Sequence, residues 1–231
     1  MLSQNLEIGY TNSYMSNSPI TRNSKLIVDR QKMQSIYQEL FDTTKRIDLQ
    51  GKGTEQIVGS TKRDMDVFIT SNASCERVIY DDFVTKKFTI QDDGAPINWE
   101  ISTDSKMIQS FKVYKATTEF RGRKWTAWYS PDLPFPFGPW KLCGLPGLIL
   151  EASDDSGVFN FSVSSINLNS MSVINRPETK GFEVISLRDF IQLKDDFYTN
   201  TVQSIGKDDR SVIVEHTINL RAGIERKFEW E

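Results

Sequence analysis

The chain has 231 residues, with 28 Lys and Arg against 31 Asp and Glu, a formal net charge of −3 and a pI of about 5.4. Nucleic-acid binding usually requires a basic surface, so this charge balance argues against a nucleic-acid partner. No stretch approaches the roughly 18 consecutive apolar residues of a membrane-spanning helix, so we expect a protein that does not span a membrane. Aromatic residues make up 11% of the chain, which favours a β-rich fold with large buried side chains.

The length of the chain suits a single domain, 1–231, with a sizeable core. One polar stretch, 42–63, contains Gly51, Gly53 and Gly59 and few large apolar residues. Such a composition is typical of surface loops, so we expect a flexible surface excursion there.

Alternation of apolar and polar residues predicts the strands of the N-terminal half. The predicted strands are 6–14, 25–28, 65–70, 77–80 and 83–90. The segment 33–41 fits two structures, because its apolar residues also have the i, i+3, i+4 spacing of an amphipathic helix.

The same alternation predicts further strands after Pro96. The first two are 97–101 and 107–120, with a tight turn at Asp104-Ser105 between them. The remaining ones are 125–129, 148–150, 158–166, 182–185 and 212–220, with a further strand in the tail at 224–230.

One amphipathic helix is predicted at 187–205. Its apolar residues share one face, Ser186 can cap the N-terminus, and Gly206 suits the C-terminal end. We therefore expect a mainly β (α+β) fold, with a curved antiparallel sheet or incomplete barrel and this helix across its concave side or at one end. Envelope lipid and lipoprotein carriers use similar incomplete barrels, which is an analogy of fold alone.

The stretch 125–154 is the most distinctive part of the sequence. It holds three of the five tryptophans and five of the eight prolines. Prolines fix φ and lack a backbone donor, so this stretch predicts a shaped loop between two strands. The loop either covers an open end of the sheet or lines an apolar pocket. The candidate binding residues are Arg121, Arg123, Trp125, Trp128, Tyr129, Pro139, Trp140, Leu145, Pro146 and Leu148.

Several motifs of this stretch occur together and in a fixed order. They are Lys115-Ala116, Arg121-Gly122-Arg123, Ala127-Trp128-Tyr129, Pro134, Gly138-Pro139 and the hexapeptide Gly-Leu-Pro-Gly-Leu-Ile at 144–149. This pattern resembles the GLPGLI family of exported bacterial proteins. The resemblance also favours a strand at 33–41. Many members carry a cysteine just before the Lys-Ala pair, where this chain has Tyr114, so a disulfide role at that position is absent.

The resemblance implies export to the periplasm or cell envelope. The first residues of the chain carry no apolar signal segment, so either the protein is cytosolic or a signal peptide has been removed, and the resemblance favours removal. In an oxidising compartment Cys75 and Cys143 could pair, but their separation in sequence leaves two free thiols equally open.

The sequence offers little recognisable catalytic chemistry. It lacks a G-x-S-x-G elbow, a P-loop and a G-x-G-x-x-G motif. The single histidine, His216, lies in a predicted strand, and with two distant cysteines it makes no zinc-type ligand set. We therefore expect no metal and no cofactor.

Charged residues near the loop have two interpretations. Arg121 and Arg123 could hold a carboxylate or phosphate, or they could be an exposed charged hairpin. The aspartate pairs are interpreted as solvated charge rather than as catalytic or calcium sites. They are Asp81-Asp82, Asp92-Asp93, Asp154-Asp155 and Asp195-Asp196.

These observations favour a non-catalytic protein over an enzyme. We expect an exported envelope protein that binds an apolar small molecule or peptide in a concave cleft between sheet and helix. The alternative is a component of an outer-membrane protein complex that contacts an envelope protein. A hydrolase that uses two carboxylates is a third possibility.

Overall fold

The computed structural model describes residues 5–15, 19–40, 67–71, 76–83, 86–93, 96–208 and 223–231. These residues form twelve strands and one helix. The strands are β1 Asn5–Tyr14, β2 Ile20–Asp29, β3 Gln34–Leu40, β4 Val67–Ser71, β5 Glu76–Phe83, β6 Lys86–Asp92, β7 Glu100–Ile108, β8 Phe111–Phe120, β9 Arg123–Ser130, β10 Leu148–Asp154, β11 Phe159–Ser170 and β12 Glu183–Ser186, and the helix is α1 Leu187–Asp208.

The described strands form one open sheet in the order β12-β6-β5-β4-β3-β2-β1-β11-β10-β9-β8-β7. Most neighbours are consecutive in sequence and antiparallel, whereas β12 pairs with β6 in parallel. The long-range pairing of β1 with β11 joins the two halves of the chain. The predicted mainly β fold, with an open antiparallel sheet and one helix, is therefore confirmed.

The core lies on one face of this sheet. Alternate residues of β1 point into it, and Leu6, Ile8 and Tyr10 are fully buried. The same cluster continues through Trp125 in β9 and Phe88 in β6. Burial of alternate residues explains why the alternating pattern predicted most of these strands.

The opposite face of β3 and β4 is covered by a crossing segment. Ile36 and Ile69 form a second, smaller cluster there, against which Ile174 and Phe182 pack. The segment 171–182 leads from β11 to β12. A parallel pairing needs such a crossover, and this one allows β12 to reach the far edge of the sheet.

The structure settles several boundaries. The ambiguous segment 33–41 contains strand β3, as the resemblance indicated. The predicted turn at Asp104-Ser105 is wrong, because β7 runs through these residues with a register shift and the hairpin turns after Ile108. Gln109 has a φ of 51° there, which a tight two-residue turn requires. The predicted strand at 224–230 is also wrong, because this tail has no strand structure.

Some predictions fall outside the described residues. They are the surface excursion 42–63, the strand 212–220, His216 and Cys75.

Helix α1 packs at one end of the sheet. Leu187 and Phe190 are buried, and the ring of Phe190 contacts that of Phe88 in β6 edge to face, with centroids 5.3 Å apart. The Oγ of Ser186 accepts a hydrogen bond from the backbone N–H of Asp189 at 3.1 Å, which is the predicted N-cap.

The residues 131–147, called here the proline loop, fold back onto the core. Its backbone pairs with itself and with β10, for example through the Ile149 N–H and the Phe137 oxygen at 3.0 Å. A Cβ on Gly147 would lie 2.2 Å from the backbone oxygen of Ser130. Glycine is therefore required where the loop joins β10, because no side chain fits between the two backbones.

The first prediction concerns this close approach. Changing Gly147 to Ala forces the backbones of the loop and β9 apart, so we expect a loss of at least about 3 kcal/mol in the free energy of unfolding. Urea unfolding followed by tryptophan fluorescence measures it. Gly223→Ala is the control, because within the described part of the chain no atom outside the glycine and its two neighbours lies within 4 Å of the added Cβ. Equal stability of the two variants would contradict the proposed contact.

Candidate functional site

The hairpin between β8 and β9 places two arginines inside the protein. Phe120 and Arg123 pair across the turn, and the turn residues Arg121 and Gly122 have φ of 56° and 73°. Two positive φ values are the signature of a type I′ turn, which matches the twist of antiparallel strands. The side chains of Arg121 and Arg123 are 0% and 1% exposed. The interpretation as an exposed charged hairpin is therefore wrong.

Arg121 is surrounded by three carboxylates. Its Nη2 donates to Asp92 Oδ1 at 2.7 Å, and its Nη1 lies 3.1 Å from Glu229 Oε2. Its Nε lies 3.5 Å from Glu225 Oε1. A buried guanidinium is expensive to desolvate unless it is paired, and here its charge is balanced by groups from two distant parts of the chain.

A second buried cation shares these carboxylates. The side chain of Lys141, in the proline loop, is 1% exposed. Its Nζ lies 3.0 Å from Asp92 Oδ2 and 2.7 Å from Glu225 Oε1. Asp92 thus bridges Arg121 and Lys141. These residues, together with Glu225 and Glu229, are called here the buried ion cluster.

Arg123 forms a separate ion pair. Its Nη1 donates to Asp154 Oδ2 at 2.6 Å, and its Nε and Nη2 donate to the backbone oxygens of Ile224 and Gly223. Burial lowers the pKa of Arg123, and the Asp154 charge opposes that shift. Burial raises the pKa of Asp154, but hydrogen bonds from Ser156 and the Phe159 N–H and the charge of Arg123 outweigh it and lower the pKa.

The segment 223–231 therefore lies on the hairpin. The N–H of Arg226 donates to the backbone oxygen of Arg121 at 2.8 Å. A Cβ on Gly122 would lie 2.9 Å from the backbone nitrogen of Lys227, so only glycine permits this approach.

A cavity of about 230 Å³ lies between α1, the core face of β4 to β6, and the 223–231 segment. Phe68, Ile79 and Ile90 form its sheet side, and the helix contributes a row of residues between Leu187 and Tyr198. Most of the residues that line it are apolar, and the charged ones are Lys141 and Glu225 of the buried ion cluster and Lys194 and Asp195 of α1. Such a site suits a ligand with an apolar body and one polar group.

The ten predicted binding residues, all in the described part of the chain, lie in different places. Trp140 lines the cavity, and its ring packs on Trp125 with centroids 5.6 Å apart. Trp128 lies on the opposite face of β9, where Lys106 Nζ is 4.3 Å from its ring centroid. Seven of the remaining eight residues are buried, and Pro146 is exposed. The buried ones are Arg121, Arg123, Trp125, Tyr129, Pro139, Leu145 and Leu148.

Sequence reasoning missed Asp92, Lys141 and Glu225. Asp92 and Asp154 belong to pairs interpreted as solvated charge, yet both are buried. A usable signal was Lys141, a single cation within the apolar run from Phe135 to Leu150, because a lysine in such a run needs a partner.

Within the described residues, no helix is long and apolar enough to cross a membrane.

Comparison with known protein families gives a match over only part of the chain. Residues 120–151 match the model of a family described as "Protein of unknown function (Porph_ging)", a stretch that includes the Gly-Leu-Pro-Gly-Leu-Ile hexapeptide. No curated protein matches the chain.

Among solved structures, the chain is similar to PNGF-II in two crystal forms. In space group P21 the TM-score is 0.54 at 16% identity, over 82% of this chain and 33% of that chain. In space group C2 the TM-score is 0.55 at 16% identity, over 84% and 33%. A LolA superfamily protein from Nitrosomonas europaea gives a TM-score of 0.30 at 8% identity, over 79% and 92%. The chain thus shares a fold with one third of the length of PNGF-II.

The second prediction concerns the Arg123–Asp154 pair. Asp154→Asn leaves the guanidinium buried without its counter-charge, so we expect a loss of about 3 kcal/mol in the free energy of unfolding at neutral pH. The folded-state pKa of Asp154 lies below the ordinary value of 3.8, so the wild-type advantage is complete above that pH and is lost as pH falls through the folded-state pKa.

Urea unfolding at a series of pH values measures this difference. Asp155→Asn is the control, because Asp155 is exposed and its removal should change stability by no more than about 0.5 kcal/mol. A difference between wild type and Asp154→Asn that persists unchanged into acid would contradict the charge pairing.

Proposed function

We propose that this protein is a binding protein that takes an apolar ligand into the cavity between α1 and β4 to β6. The cavity carries this proposal, because an apolar hollow beside an amphipathic helix is the usual form of a small-ligand site. No reaction is assigned, because Lys141 and Glu225, which line the cavity, are paired with each other.

The size of the cavity supports a small ligand or one apolar side chain of a peptide. A dry apolar cavity of about 150 Å³ is enough to bind benzene. The volume of about 230 Å³ thus suits an aromatic ring with a short aliphatic extension.

The helix side of the cavity has the features of an entrance. Tyr198 lines the cavity and is 40% exposed, and its ring contacts that of Phe197, which is 39% exposed. Exposed aromatic pairs gain most from covering by an apolar ligand, because they are large and rigid. We infer that the ligand enters along this part of α1.

We also propose that the chain is an exported protein of the GLPGLI type, in one domain. The motif order at 115–149 and the family match over 120–151 support this assignment. Cys143 is buried and disulfide-bonded, and disulfides persist mainly in oxidising compartments. Both observations favour the periplasm or cell envelope as the location.

The third prediction tests the binding site. The neutral apolar dye N-phenyl-1-naphthylamine should bind with one ring in the cavity and the rest over the exposed Phe197 and Tyr198, with an increase and a blue shift in its fluorescence. Ile191→Trp puts an indole into the cavity, so we expect the affinity for the dye to fall by at least about tenfold. Fluorescence titration of the folded variant measures the change, with circular dichroism as a check of the fold.

The neighbouring residue provides a matched control. Gln192 is exposed and does not line the cavity, so Gln192→Trp adds the same side chain outside it. This variant should bind the dye like the wild type. Absence of binding to the wild type, or equal loss in both variants, would exclude the cavity as the site.

The fourth prediction concerns Cys143. Denatured, unreduced protein should not react with iodoacetamide at this cysteine, because its sulfur is already bonded. Reduction should lower the free energy of unfolding by about 2–4 kcal/mol. Peptide mass spectrometry and urea unfolding test these outcomes. Alkylation of Cys143 in oxidised protein would contradict the disulfide and remove its support for export.

A further inference from the structure

Most of the cavity lining is apolar, but four charged residues belong to it, namely Lys141, Lys194, Asp195 and Glu225. Lys141 is the most deeply buried of these four, with a side chain that is 1% exposed. A lysine so deeply buried is normally neutralised by a carboxylate, because an uncompensated charge in an apolar site is strongly destabilising. Among the described residues the nearest carboxylate is that of Glu225, whose Oε1 lies 2.7 Å from Lys141 Nζ.

Glu225 differs from the other groups around Lys141 in where it lies. It belongs to the 223–231 segment, and residues Gly223, Ile224, Glu225 and Phe228 of that segment line the cavity. Its side chain is 17% exposed, whereas that of Asp92 is 0% exposed. Glu225 is therefore the carboxylate with a path from Lys141 to solvent, whereas Asp92 is enclosed and also bound by Arg121.

We propose that the cavity binds a small apolar monocarboxylate, whose carboxylate replaces that of Glu225 on Lys141 while its apolar part lies between α1 and β4 to β6. This inference rests on the proposed function and names the ligand class. A carboxylate that replaces Glu225 keeps the ammonium of Lys141 paired. A neutral or cationic ligand in the same place would leave Lys141 with Asp92, which it shares with Arg121, as its carboxylate contact.

Arg121 supports the same chemistry. Its Nε lies 3.5 Å from Glu225 Oε1, so a ligand oxygen in that place is near two cations. Arg121 also keeps its contacts with Asp92 and Glu229 when Glu225 moves, so the buried ion cluster survives the exchange. The geometry thus provides a preformed carboxylate site that an internal side chain fills.

The probe is 3-phenylpropanoate, whose ring and short chain match the cavity volume of about 230 Å³. Isothermal titration compares it with 3-phenylpropanol and 3-phenylpropylamine, which have the same apolar part. We expect the acid to bind wild-type protein at least about tenfold more tightly than the alcohol, and the amine most weakly.

Two variants assign this preference to named groups. In Lys141→Met the apolar stem remains without its charge, so the ratio of acid to alcohol affinity should fall to about one. In Glu225→Gln the competing charge is absent, so the acid should bind about three- to tenfold more tightly than to wild type, while the alcohol changes less. Glu225→Gln keeps the protein testable if Lys141→Met does not fold.

The outcomes separate this inference from the proposed function. If acid and alcohol bind equally to wild type, and Glu225→Gln changes neither, the carboxylate assignment is overturned while the apolar site stands. If neither the probes nor N-phenyl-1-naphthylamine bind, both are overturned. A preference for the acid that persists in folded Lys141→Met would place the anion elsewhere and also overturn the assignment.

Discussion

The need to neutralise Arg121 and Lys141 inside the protein governs the arrangement around the core. Buried cations are tolerated only with carboxylates beside them, and Asp92 binds both. Glu225 and Glu229 complete the pairing from the 223–231 segment. The end of β6, the β8–β9 hairpin, the proline loop and this segment thus meet at one point, because each contributes a charge that the others need.

The shape of the backbone makes this meeting possible. Gly147 lets the proline loop run against Ser130, and Gly122 lets the 223–231 segment approach the hairpin. Once these close contacts form, Trp140 packs on the core and Lys141 points to Asp92. The loop is therefore first a structural element, and its contribution to the cavity follows from the same packing.

The fold was largely predictable from the sequence, because burial of one sheet face produces alternation. Strand β1 and helix α1 show clear periods, and the structure contains both. The alternation did not locate the hairpin after β7, whose turn residues Gln109 and Ser110 give a weaker signal than Asp104-Ser105. Residue preferences for turns favoured Asp104-Ser105, but the pairing of Ile108 with Phe111 places the turn at Gln109-Ser110.

The candidate site was much less predictable. The partners in its ion pairs are 29 residues apart for Arg121 and Asp92, and 84 apart for Lys141 and Glu225. No local sequence pattern shows which charged residues pair across such separations. Arg121 and Arg123 were therefore compatible with an exposed hairpin or with binding of a ligand carboxylate or phosphate. Of the loop's aromatic residues only Trp140 lines the cavity, whose other lining residues come mainly from α1, the sheet and the 223–231 segment.

The most direct test of the central claim is to locate a ligand in the cavity. A crystal of the protein grown with 3-(4-bromophenyl)propanoate would show the bromine by anomalous scattering. We expect one bromine between α1 and the sheet residues Phe68 and Ile90, with the carboxylate at Lys141 Nζ and Glu225 displaced. A bromine at another site, or an unchanged Glu225–Lys141 contact with an empty cavity at saturating ligand, would contradict it.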